Sequence, residues 1–354
     1  MRVINKYIAV EILKSTAIAQ LFLLSLVLVI TFADELDDMG SGQYGLVEIF
    51  KYLGLIAPRN FYELLPSATL LGALITLGGM ANSYELTAMR AAGISRWQII
   101  FATLRVGVML VVISLFVSEV IAPTTEQAAQ MLKFTAKNEQ VALRTKYGFW
   151  TRDGDTYLNI REILNSSELK DVSIYEMTDK NELKYATHAA SASFIDNRWQ
   201  LKGIQQTTVT EKGVEVSNSD SAQLDSLLDP GLLDVIVVKP ERLSIIGLAS
   251  YIQFLNKNGQ DATRFVVAIT SKLIRPFVIL VMLLIAIPMV LSVKRASSTG
   301  TRILVGALIG IGFSLVDRLF GSVGVLYGLN PVIAASLPFL LALSVSIVTI
   351  RRMG

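Results

Sequence analysis

The chain has 354 residues, 52% hydrophobic and only 17% charged, and its mean hydropathy of +0.53 excludes an ordinary water-soluble domain of this size. No cysteine is present, which removes disulfides, thiolate metal sites and a cysteine nucleophile. The net charge of +3 comes from basic residues gathered toward one membrane face and not from a continuous stripe, which argues against a nucleic-acid partner.

A bilayer core takes about 20 apolar residues per helical span. Six runs qualify, at 12–33, 64–81, 97–122, 265–293, 303–325 and 331–350, and an even number returns both termini to one side. The opening MRVINKYIAVEILK lacks the short apolar core and cleavage site of a signal peptide, so the first span is expected to be retained. Arg2, Lys6, Arg90, Arg96, Lys294, Arg295, Arg302, Arg351 and Arg352 fall on one side of the six spans. The opposite short loops carry DELDD at 34–38 with a single Lys51, and the uncharged GSVGVLYGLN. Lysine and arginine mark the cytoplasmic side, which places both termini there.

The short loop after the second span reads NSYELTAMRAAGISRWQI. Asn82 or Ser83 is a candidate N-cap, Glu85 suits the first helical turn or a capping box with Asn82, and Gly93 supplies a stop. The reading is a helix over 83–93. Its small-residue face suits a protein groove, although the spacing alone favours a capping box on a helix lying against the bilayer.

Between the third and fourth spans the composition changes. Residues 123–262 hold fifteen basic and nineteen acidic residues, a net of −4. Short alternating runs, YLNI at Tyr157, VSIYEM at Val172, LKYATHAASASF at Leu183, RWQLKG at Arg198 and TTVT at Thr207, read as strands with a period of two. DGD at Asp153, TDKN at Thr178, DN at Asp196 and KG at Lys212 read as their turns. From Ser244, SIIGLASYIQFLNKNG has helical spacing and stops at Gly259. The fold class is therefore membrane α-helical, with three spans on each side of an inserted, water-facing all-β domain. The expected boundaries are 1–122 for spans one to three, 123–242 for the β domain, 243–262 for a connecting helix and 263–354 for spans four to six.

No GxxxxGK[ST] cradles ATP phosphates and no HExxH holds zinc. The lone histidine, His188, lies in an alternating stretch, where an exposed strand position is expected and metal binding is not. Catalysis within this chain is not expected, so any work on a substrate draws its energy from elsewhere.

SYELTAMRAAG at 83–93 resembles the cytoplasmic coupling helix of the lipopolysaccharide export permeases, the LptF/LptG family. KYIAVEIL, FADELDDMGSGQYG, LLPSATLLGALITLG, VIAPTTEQAA, GFWTRDGDTYLNI, LSIIGLASYIQFLNKNGQD and LYGLNPVIAASLP agree with that family in order along nearly the whole chain. The LSIIGLASYIQFL element looks like the LptG branch. The resemblance implies a jellyroll-like periplasmic β domain, an inner-membrane location and a pseudo-symmetric LptF-type permease partner. It also implies an LptB-type ATPase dimer that binds the ATP and magnesium, with no cofactor in this chain, and LptC/LptA-type β-jellyroll bridge proteins. By the same resemblance Glu85, Leu86, Ala88, Met89, Arg90, Ala92 and Gly93 contact the ATPase.

Charges inside the spans are costly and face protein or a wet cavity. Arg105, Glu119, Lys272, Arg275, Asp317 and Arg318 are of this kind. At about 1.5 Å per residue Lys272 and Asp317 lie at matching depths, which suggests an ion pair between them. Gly306 and Gly310 form a GxxxG that allows close helix approach; by resemblance, the first and fifth spans are lateral gates. A lipid A head group brings phosphates, and Arg59, Lys133, Lys137 and Lys272 are the candidate contacts. The chain departs from some relatives in carrying Asp37, Asp38 and Thr31 where basic residues stand, which puts phosphate recognition by that segment in doubt. Walls for acyl chains are expected from Phe22, Leu26, Phe32, Phe61, Leu70, Leu74, Ile309 and Phe313. Alternatives are a lipoprotein-releasing permease, which the insert after the third span instead of the first disfavours, and a membrane scaffold or sensor with no substrate cavity.

Overall fold

The computed structural model describes residues 2–137, 143–153, 155–165, 167–178, 182–195, 198–210, 213–224, 240, 243–291 and 299–352. The turns expected at 179–181, 196–197 and 212, Gly154, and the anchors Lys294 and Arg295 lie outside the described residues.

Six helices are long and apolar enough to cross a membrane. Helix α1 (Arg2–Leu36) packs along α2 (Leu46–Asn82), the most buried of the spans. The two approach closely at Gly72, where a Cβ would sit 2.5 Å from the backbone nitrogen of Thr16 and 2.6 Å from its Cα. Polar groups stitch the same seam: the Thr76 hydroxyl lies 2.8 Å from Ser15 Oγ, and Gln20 donates to the Phe61 carbonyl at 3.0 Å. In hydrocarbon such bonds satisfy groups that would otherwise be orphaned.

The short helix α3 (Glu85–Ala91) follows, and then α4 (Arg96–Phe116), whose N-cap Ser95 forms a capping box with Gln98. A π-helical turn, Val117–Ile121, leads into α5 (Ala122–Ala136). Pro123 accounts for the turn: its ring crowds the carbonyl of residue 119, and the wider π winding relieves that clash. The expected boundary at 122 is therefore corrected. The third span runs on as helix to Ala136, because a proline in a first turn starts a helix as readily as it ends one.

The β domain is one antiparallel sheet in chain order, β1 (Leu143–Asp153), β2 (Thr156–Asn165), β3 (Glu168–Met177), β4 (Leu183–Ile195), β5 (Arg198–Thr210) and β6 (Gly213–Leu224). Its apolar face gathers Leu158, Ile160, Ile163, Leu169, Val172, Ala189, Ala192, Trp199, Leu201 and Ile204 in one cluster. Simple alternation does not produce this set. The buried residues change parity in each of β2 to β5, at one row that crosses the sheet through Arg161, Asp171, Ala190 and Gly203. Asp171 and Gly203 in that row have φ of +53° and +63°. This crease resets the pleat, so residues three apart face the same core. RWQLKG and TTVT, read as two strands, are the two sides of the crease in one strand, β5. Strand β6 escaped the sequence reading because its polar run lies exposed along almost its whole length. His188 is exposed on β4, as expected, with Nδ1 3.3 Å from Ser173 Oγ.

Helix α6 (Ile245–Lys257) is capped by Ser244, whose Oγ accepts from Gly247 N at 3.0 Å, and ends near Gly259 at φ +64°. Its Phe254 packs against both the sheet core and the cluster of Leu243, Leu248, Tyr251, Leu255 and Ala268. The helix thus ties the sheet to α7 (Thr263–Leu291). Helices α8 (Thr299–Leu326) and α9 (Pro331–Arg352) complete the spans, and α1, α8 and α9 keep most of their surface outward.

Candidate functional site

Arg264, Lys272 and Arg275 are spaced eight and three residues apart, which sets them on one face of α7. That face borders α2 and α8. Arg275 bridges the two, lying 3.7 Å from Glu63 of α2 and 3.7 Å from Asp317 of α8. Lys272 pairs elsewhere, with Glu119 of the π-helical turn at 3.0 Å, and it donates to the Leu243 carbonyl. The expected Lys272–Asp317 pair is therefore corrected. Matching depth was a sound criterion, but Lys272 and Arg275 are three residues apart on one helix, so each meets a different neighbour. The π winding places Glu119 where Lys272 reaches it.

Two cavities share this charged wall. The smaller, about 150 Å³, is lined by Asn60, Glu63, Ser67, Ser271, Arg275, Phe313 and Asp317 among others. The larger, about 570 Å³, is lined by Arg264, Ser271, Lys272, Arg275, Asp317 and Arg318, with Tyr62, Val267, Val325 and Leu326 as apolar surface. Four cations face one carboxylate there, within the size range of ligand sites. Arg264 and Glu63 were not singled out from sequence; the helical spacing of Arg264 with Lys272 and Arg275 was the signal that could have found the former.

Arg59 contacts Glu126 at 3.3 Å. Lys133 contacts Glu35 at 2.7 Å and Asp38 at 3.1 Å, and Lys137 contacts Asp38 at 2.8 Å. None of these three cations lines either cavity. Arg59 ties α2 to α5, while Lys133 and Lys137 anchor the end of α1 and the loop after it to α5, with Tyr44 donating to Glu35 at 2.9 Å and the Gln43 amide to the Ala136 carbonyl. The ammonium groups of Lys137 and then Lys133 hold the Asp38 carboxyl below its ordinary value. Burial and then Glu35 push the Tyr44 hydroxyl up. Asp38 is thus the partner of the two lysines.

Among the expected wall residues, Phe313 lines the smaller cavity. Leu70 and Leu74 are corrected: both are fully buried in the core of the spans. Phe61 and Ile309 pack against that core, Phe32 stacks on Phe50 at 5.5 Å, and Phe22 and Leu26 are exposed on α1. The glycines of the GxxxG face α2, where a Cβ on Gly306 would collide with Leu74 and one on Gly310 would lie 3.0 Å from Ser67 Oγ. They bring α8 onto its own bundle and leave Leu304, Leu308, Ile311 and Leu315 exposed on the outer side. Arg105 is exposed on α4, and Arg302 is buried, donating to the Gly78 carbonyl at 2.9 Å.

The short helix is smaller than expected. Its N-cap is Tyr84 at φ +63°, not Asn82 or Ser83, because Asn82 still belongs to α2. Gly93, at φ +88°, supplies the stop. Leu86 is corrected from a partner contact to a core residue, with Met89 packed beside it, while Ala88, Arg90, Ala92 and Gly93 are exposed. Glu85 accepts from Tyr7 at 2.9 Å and from Ser83 at 2.8 Å.

The family described as lipopolysaccharide export system permease LptF/LptG matches residues 6–352. The chain is 31% identical over 339 residues to the permease protein LptG of Escherichia coli (strain K12), covering 95% of this chain and 94% of the relative. It is also 31% identical over 340 residues to LptG of Haemophilus influenzae, covering 96% and 95%. To LptF of Escherichia coli (strain K12) it is 24% identical over 216 residues, 60% of this chain and 57% of the relative. A match from end to end, on a chain whose six membrane helices are interrupted after the third by a β domain, makes this protein a member of the LptF/LptG family of lipopolysaccharide export permeases.

Proposed function

We propose that the chain is one membrane half of an ATP-driven transporter that extracts lipopolysaccharide from the periplasmic leaflet of the inner membrane and passes it through the β domain toward the outer membrane. Its partners are a paralogous LptF-type permease, a cytoplasmic LptB-type ATPase dimer and LptC/LptA-type bridge proteins, and its termini are cytoplasmic. The larger cavity carries the reading: four cations and an apolar rim at membrane depth suit a phosphorylated head group joined to acyl chains. The outward faces of α1 and α8 are apolar surface for the second permease to cover. The exposed side of α3, below α2, is the face for the ATPase. Extraction into water costs about 0.8 kcal/mol per methylene, so a continuous apolar path from cavity to sheet interior lowers the work that ATP hydrolysis must supply.

The test is purification of the assembled transporter in mild detergent from a lipopolysaccharide-producing strain, with mass spectrometry of bound lipid and ATPase assays. Bound lipopolysaccharide that is lost on Arg264→Ala with Arg318→Ala, together with lipid-stimulated hydrolysis, is the expected result. A complex that carries no lipopolysaccharide and hydrolyses ATP regardless of lipid would contradict the reading.

A further inference from the structure

Lys272 stands at a junction of three elements. It is one of the residues lining the larger cavity, and its ammonium contacts Glu119 Oε1 at 3.0 Å and donates to the Leu243 carbonyl, with the side chain only 7% exposed. Glu119 uses its other oxygen to accept from the Ile245 amide at 2.9 Å, the first residue of α6. Two elements therefore converge on one carboxylate: the cavity wall and the start of the helix that grips the sheet through Phe254.

We infer that the Glu119–Lys272 contact is a substrate-sensitive joint: a phosphate-bearing lipid head group in the larger cavity takes Lys272 from Glu119 and frees the start of α6, so that occupancy of the cavity is felt at the β domain. The inference rests on the export reading above. The Lys272 ammonium and Glu119 Oε1 form a close ion pair that lacks the alignment of a well-formed hydrogen bond. A phosphate offers more charge and more acceptor oxygens, and Arg275 on the same wall adds to its attraction. Glu119, once deprived of its cation in a site it shares with apolar groups, turns to water and releases the Ile245 amide. The π-helical turn is a suitable place for this, since its wider winding leaves the backbone around Glu119 less constrained than a regular helix. A ligand shifts such an equilibrium only by binding the two states unequally, and the exchange of partners at Lys272 supplies that inequality.

The chain has no cysteine, so Val120→Cys and Ile246→Cys, both exposed, take a pair of spin labels in the transporter assembled with cysteine-free partners. Dipolar coupling between the labels is read without lipid and with diphosphoryl lipid A, dephosphorylated lipid A or inorganic phosphate. The expected result is strong coupling without lipid and a loss with diphosphoryl lipid A alone. Glu119→Gln is expected to show the weakened coupling with no lipid, and Glu119→Asp to retain part of it. Unchanged coupling with diphosphoryl lipid A demonstrably bound, or in Glu119→Gln, would overturn the joint. An equal loss with dephosphorylated lipid A or with inorganic phosphate would overturn the assignment to a phosphorylated lipid head group. Failure of the export reading is visible separately, as an absence of bound lipid A in the same samples, and would remove the joint with it.

Discussion

The Tyr7 hydroxyl donates to Glu85 Oε2 at 2.9 Å across seventy-eight residues of sequence, joining the start of the first span to the short helix after the second. This bond links the short helix to α1, whose far end is tied to α5 through Glu35 and Lys133. Tyr7→Phe removes one exposed hydrogen bond and is expected to leave assembly intact while lipopolysaccharide release per ATP hydrolysed falls. Glu85→Ala removes both contacts of the carboxylate and is expected to weaken copurification of the ATPase subunit. Unchanged release per ATP in Tyr7→Phe would separate the hydrogen bond from coupling.

The corrected pairing of the intramembrane charges is open to a double-mutant cycle. Lys272→Met with Glu119→Gln is expected to show a coupling of about 1 kcal/mol or more, whereas Lys272→Met with Asp317→Asn should be additive within about 0.5 kcal/mol. Arg275→Met strands Glu63 and Asp317 together. Removal of one partner from a fully buried pair costs about 3–5 kcal/mol, and partial exposure of this guanidinium lowers that to about 2 kcal/mol. Thermal unfolding in detergent reads both experiments.

Much of this architecture was legible in the sequence, because hydrocarbon forces long uninterrupted helices and a change in composition marks the insert. What escaped has definite causes. Pro123 reads as a helix breaker, yet here it begins a helical turn behind a π-helical one. Strict alternation fails at the Arg161–Asp171–Ala190–Gly203 row, where the pleat resets. In the site, Lys272 and Arg275 were visible as charges, but which carboxylate each meets depends on helix rotation, which hydropathy does not encode. Leu70 and Leu74 are chemically identical to cavity-wall leucines; only the packing of the spans, which sets Gly306 of α8 against Leu74, shows that they are core.

Helix approach along α1 and α2 depends on Gly72. A Cβ there meets the backbone of Thr16, which cannot rotate away, so Gly72→Ala is expected to cost about 1–3 kcal/mol through overpacking. Gly79, on the same helix with nothing within 4 Å of its Cβ position, is the control. Gly79→Ala is expected to be neutral or stabilising by up to about 1 kcal/mol. Equal effects of the two substitutions on thermal unfolding would contradict the close approach.

The anchor of the loop between α1 and α2 has a defined pH dependence. Lys137 and Lys133 hold the Asp38 carboxyl below its unfolded value of about 3.9. A depressed carboxylate contributes stability that is fully present above the unfolded value and is lost as pH falls through the folded one. Hydrogen exchange of the amides at 37–44 should therefore show protection that is steady between pH 5 and 7, apart from the intrinsic exchange rate, and declines only in stronger acid. Asp38→Asn should lower that protection at neutral pH and remove most of the decline, and high salt should weaken the difference.

In the proposed function, this permease carries lipopolysaccharide from a membrane cavity to its β domain at the expense of ATP hydrolysed by a partner. The most direct measurement is transfer of labelled lipopolysaccharide from proteoliposomes holding the full transporter to a soluble acceptor, with phosphate release followed in the same sample. Transfer is expected to require ATP and to be lost in Glu85→Ala. Lipopolysaccharide that stays in the bilayer while the intact assembly turns over ATP at its full lipid-stimulated rate would contradict it.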